Sequence, residues 1–64
     1  MTYVIYKKEN PTLMVETLDS FYDPQLTNDV ERAMKFDSST TAMETIVLMP
    51  GSVDFWGTRP SKPK

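Results

Sequence analysis

The side chains able to do acid–base or metal chemistry in this chain are carboxylates and lysines alone, because it has no histidine and no cysteine. That removes histidine-paired nucleophiles, thiolate catalysis, imidazole and thiolate metal ligands, and disulfides together. Asp19, Asp23, Asp29 and Glu31 could in principle supply a carboxylate pair or a magnesium site. Their spacing matches no ligand loop, however, and suits residues that solvate a loop and cap a helical turn. Lys7, Lys8 and Lys35 sit among charged or turn residues, the setting of solvated lysines and not of desolvated bases. The two glycines, Gly51 and Gly57, stand alone, and neither is expected to open a helix as a glycine-rich phosphate loop requires. The expectation is a protein that is not an enzyme, with no catalytic residue, no cofactor and no metal.

Aromatic residues offer more. Phe55 and Trp56 are neighbours in an alternating stretch, so they point to opposite faces, and a basic segment containing Arg59 follows them. Only one of the two can lie under a covering helix. The other is either covered by Phe21 and Tyr22 or exposed as an anchor for a partner with Arg59 at its rim. Tryptophan, tyrosine and arginine often carry interface energy, so Phe55, Trp56, Arg59, Phe21 and Tyr22 form the candidate contact set. A homodimer through that face would satisfy both alternatives. Met14, Met34, Met43 and Met49 could add an adaptable surface, but such residues more often fill gaps in a small core.

The elements that must position these residues follow from periodicity. Tyr3-Val4-Ile5-Tyr6 is β-branched and aromatic throughout, which predicts a strand with both faces at least partly covered. Leu13 to Leu18 resumes the alternation, as a hairpin partner reached through a loop of Lys8, Glu9, Asn10 and Pro11. Asp19 to Asn28 is rich in turn formers and predicts an ordered loop pinned by Phe21, Tyr22 and Leu26. Leu26, Val30, Ala33 and Met34 recur at helical spacing, with Asn28 and Glu31 placed like a capping pair, while Val30, Met34 and Phe36 share a face at period two. The compromise is one helical turn over 28–33 feeding a short strand, Met34 to Asp37.

Ser38 or Ser39 can then cap a helix, Thr41 and Glu44 have capping-box spacing, and Ala42, Ile46 and Met49 form an apolar stripe widened by Met43 and Val47. Pro50-Gly51 ends the helix. Val53 and Phe55 alternate with Asp54 and Trp56, which predicts a last strand over 52–57 with Gly57 at its end or in a bulge. Together these give an α+β domain over residues 1–57: a small antiparallel sheet of three to four strands with one main helix on one face, in the order β-β-(turn)-β-α-β. Residues 58–64 carry two prolines and little to bury, and are expected to form a flexible basic tail.

At 64 residues a chain buries only about 60% of its unfolded surface, leaving room for one small core. The net charge of −2 hides a division, since Arg59, Lys62 and Lys64 hold three of the seven positive charges and residues 1–56 carry four basic and nine acidic side chains. An acidic body repels phosphate backbones, which argues against nucleic acid as the partner of the folded part. No run approaches the roughly 18–20 apolar residues of a membrane span. Met1 to Lys7 lacks the charged start and long apolar stretch of a signal peptide. A soluble protein of the cytoplasm, with no membrane partner, is the expectation.

Ala33-Met34-Lys35-Phe36-Asp37-Ser38 followed by Ala42, after a start reading Tyr3-Val4-Ile5 and before a final aromatic strand, resembles small early-region proteins of temperate phages, staphylococcal ones in particular. The resemblance spans about residues 3–56. It implies an accessory factor or inhibitor that binds a host or phage protein, acting on host DNA metabolism or defence in the cytoplasm of the infected cell. The alternative it leaves is an accessory of phage recombination or replication that binds single-stranded DNA, with Trp56 stacking on bases and Arg59, Lys62 and Lys64 following the backbone.

Overall fold

The computed structural model describes residues 1–61. Its elements are β1 (Tyr3–Lys7), β2 (Asn10–Leu18), β3 (Pro24–Thr27), α1 (Ser39–Leu48), α2 (Ser52–Phe55) and β4 (Trp56–Pro60). The four strands form one antiparallel sheet in the spatial order β3-β2-β1-β4, and α1 packs across β1 and β4. This is the expected α+β fold. Val4 and Ile5, adjacent and so facing opposite ways, are both fully buried, which requires a lid on each side of β1. On one side α1 lays Ala42, Ile46 and Met49 against Ile5, Val15 and Trp56. On the other, Ala33 and Val30 pack with Val4, Met14 and Tyr6.

Lys7 pairs with Asn10 across a two-residue connection, Lys8-Glu9, so Pro11 lies inside β2 and not in the loop. The register then jumps from Lys7↔Asn10 to Tyr6↔Met14, leaving Pro11 opposite no residue of β1, where its missing N–H breaks no ladder bond. The segment expected as an apolar-pinned loop holds β3, and the turn before it is closed by a carboxylate. Asp19 Oδ1 accepts the N–H groups of Phe21 at 2.8 Å and Asp23 at 3.0 Å. A side chain that satisfies local donors closes a turn without an apolar anchor, and Phe21 is left 83% exposed.

Residues 29–33 form the expected single turn, with Asp29 in place of Asn28 as its cap. Asp29 Oδ1 accepts the Glu31 N–H at 2.9 Å, and the Asp29 carbonyl accepts the Arg32 N–H at 3.0 Å. The strand expected over Met34 to Asp37 shrinks to a bridge: Phe36 exchanges two 2.8 Å bonds with Tyr3, and the Met34 N–H donates to the Val15 carbonyl at 2.8 Å. These bonds tie the segment to both β1 and β2, beyond the point where their own pairing ends.

Ser38 is the N-cap of α1, its Oγ accepting the Thr41 N–H at 3.2 Å; the box drawn at Thr41 and Glu44 lies a turn too late. Ala42, Ile46 and Met49 are buried as the stripe requires, but Met43 and Val47, assigned to its flanks, are exposed. The strand expected over 52–57 also moves. Gly51 takes φ 86° and Ser52 φ 49°, and this reversal winds Val53 to Phe55 into α2 before extension begins at Trp56. A left-handed step of that kind suits glycine, which has no Cβ to clash. The tail boundary at 58 is therefore corrected: Thr58 and Arg59 pair with Ile5 and Val4 in β4, because strand periodicity is displaced toward the C-terminus by the extra turn. Pro60 ends β4, and Ser61 is buried with its N–H on the Thr2 carbonyl at 2.9 Å; residues 62–64, with Lys62 and Lys64, lie outside the described residues.

Candidate functional site

The five residues of the candidate contact set do not form one surface. Trp56 opens β4 beneath α1, where it belongs to the main core, and its indole Nε1–H donates to the Pro50 carbonyl at 2.7 Å. It is the aromatic that lies under the helix, and it is closed to base stacking. Phe55, one residue earlier, is exposed, its ring lying over Gly51 so closely that a Cβ there would come within 2.5 Å of it. Arg59 projects from the other face of the sheet, with its guanidinium 4.8 Å from the Tyr6 ring centroid and its Nη2 donating to the Pro11 carbonyl at 2.8 Å. It does not rim Phe55.

Phe21 and Tyr22 occupy the β2–β3 turn. Because β3 and β4 are opposite edges, and the Lys8 N–H bonds the Phe55 carbonyl at 2.9 Å at the other end of the sheet, Phe55 and the Phe21–Tyr22 turn sit at opposite corners. Tyr22 holds φ 60°, and neither aromatic covers Phe55.

Phe55 has other neighbours. Val47 and Leu48 end α1, Val53 and Phe55 lie on α2, and the two helices pack together. With Met43 one turn before Val47, these five apolar side chains are all exposed on the two packed helices and make up an apolar ridge, with Glu44 between Val47 and Leu48 around α1. Glu44 is the single charged residue of α1. Soluble helices normally turn a charged face to water, and clustered apolar exposure marks contact sites. Beside the ridge, Phe55 joins Lys7, Lys8, Glu9 and Asp54 around an open cavity of about 370 Å³. Lys7 Nζ stands 4.0 Å from Glu9 Oε1, and Lys8 Nζ donates to the Val53 carbonyl at 2.8 Å.

Three of the ionisable candidates, Asp19, Asp29 and Lys35, make structural contacts. Asp19 and Asp29 hold turns, and Lys35 Nζ donates to the carbonyls of Val30 and Ala33, tying down the 29–33 turn. Among the described residues, no three acidic side chains come together in a group that could hold a metal ion. A second open cavity, about 350 Å³, lies on the opposite face between Met14, Val30, Arg59, Pro60 and Ser61. No helix among the described residues is long and apolar enough to cross a membrane.

Sequence periodicity missed the ridge, placing Met43 and Val47 inside and overlooking Leu48 and Val53. The available signal was charge: a ten-residue helix with one ionisable side chain turns Ser39, Thr40 and Thr41 to solvent at its start and ends on apolar side chains, Val47 and Leu48 among them. No family model, curated protein or solved structure matches this chain.

Proposed function

We propose that this protein is a non-enzymatic binding module that acts by protein–protein contact through the ridge of Met43, Val47, Leu48, Val53 and Phe55. The exposure of these five apolar residues on two packed helices carries the proposal. Interfaces draw their energy from a few clustered apolar and aromatic anchors within a polar surround, and Phe55 between Lys7, Lys8, Glu9 and Asp54 has that form. Contact by strand addition is less suited to this sheet, since both edge strands are short and each carries a proline, Pro24 and Pro60. The resemblance to early-region phage proteins makes a host or phage protein of DNA metabolism or defence, in the host cytoplasm, the class of target. The test compares capture of proteins from staphylococcal lysate by the wild-type chain and by V47D and F55D. Specific capture lost in both folded variants supports the proposal. Capture unchanged by both overturns it.

A further inference from the structure

We propose that the ridge also binds a second copy of this chain, giving a two-fold homodimer; this rests on the ridge being the contact surface. Charge selects the occupant. Residues 1–61 carry nine acidic and five basic side chains, an acidic surplus that sets the molecule as a whole against a copy of itself. The outer side of α1 is the exception, because Glu44 is its one charged residue and two such helices can approach with little repulsion. The flank of the ridge is balanced in sign, with two lysines and two carboxylates around Phe55. Lys7 and Glu9 face each other at 4.0 Å, whereas Lys8 and Asp54 have no ion-pair partner among the described residues.

A two-fold contact is isologous: residue i of one protomer meets residue j of the other, and j meets i. A link from Lys8 of one copy to Asp54 of the other, beside Val47, Leu48 and Phe55, would on that symmetry form twice, at the cost of the bond Lys8 Nζ makes to the Val53 carbonyl.

Sedimentation equilibrium of the full chain over about 1–300 µM tests this by mass action. The wild type is expected to pass from 7.4 kDa to twice that mass. V47D is expected to stay at the lower mass throughout while keeping the wild-type far-UV circular dichroism. D54K, which sets two lysines against each other at both links, should weaken association about tenfold, and the swap K8D/D54K should recover most of that loss. A wild type that remains at 7.4 kDa overturns the dimer, and lysate capture still abolished by V47D would then leave the ridge standing as a contact surface. Dimerisation unaffected by both V47D and D54K overturns the proposal by placing the contact on another face. Failure of K8D/D54K to recover what D54K loses overturns the two-fold pairing.

Discussion

On one face of the sheet a helix lays Ala42, Ile46 and Met49 over Ile5, Val15 and Trp56; on the other a short turn lays Ala33 and Val30 over Val4 and Met14. The helix covers its face with area. The turn covers less and is instead tied down, by Lys35 on two carbonyls, by Arg32 Nη2 at 3.2 Å from Glu16 Oε2, and by the Met34 N–H on Val15. Burial of apolar surface scales with area, whereas hydrogen bonds fix position with a modest net gain. The helix face should therefore hold most of the stability, and the turn face should be sensitive to fit.

The largest expected effect is on the helix face. Trp56→Ala should cost about 3–5 kcal/mol, comparable to the whole stability of a domain this small, and leave the chain largely unfolded by circular dichroism without denaturant. Met14→Ala on the turn face should cost about 2 kcal/mol, measured in urea by the fluorescence of the single tryptophan. Equal losses at the two positions would break the comparison.

Next in size is a test of fit. Gly57 lies across from Tyr6, and a Cβ there would stand 2.7 Å from the Tyr6 ring. Gly57→Ala should cost about 1–3 kcal/mol by overpacking, and most of that cost should vanish in a Tyr6→Val background. A cost that persists without the ring would show backbone strain and not the aromatic contact to be the cause. Ser38→Ala should remove about 1 kcal/mol through the lost N-cap, and Asp29→Ala about as much through the 29–33 turn, both read from urea midpoints. The smallest effect belongs to the outer side of the helix, where Val47→Asp in dilute solution should change stability by no more than about 0.5 kcal/mol while altering association.

Much of the fold was legible in local pattern. Tyr3 to Tyr6, Leu13 to Leu18, a cap at Ser38 or Ser39, the Ala42-Ile46-Met49 stripe and the Pro50-Gly51 stop each follow from residues within a few positions of one another, and each appears where expected, the cap at Ser38. The misses share a different cause. Val53 to Phe55 alternate like a strand, yet the reversal at Gly51 and Ser52 winds them into α2, and every face assignment downstream shifts with it. Of the candidate contact residues, Phe55 proved exposed beside the helices, Trp56 buried, Arg59 on the opposite face, and Phe21 and Tyr22 at a distant corner. Alternation states that Phe55 and Trp56 face apart, but not which of them meets the helix.

By itself the amino-acid sequence determined that residues 3–6 and 13–18 extend, where α1 starts and stops, and that histidine and cysteine chemistry is absent, because capping, periodicity and composition act over a few bonds. The tertiary structure alone decided that a turn would close the second face, that residues 58–60 would join the sheet, and that Met43 and Val47 would meet solvent. Those outcomes depend on which of several apolar surfaces pack together across the chain, a competition settled by total burial and not by any neighbouring residue.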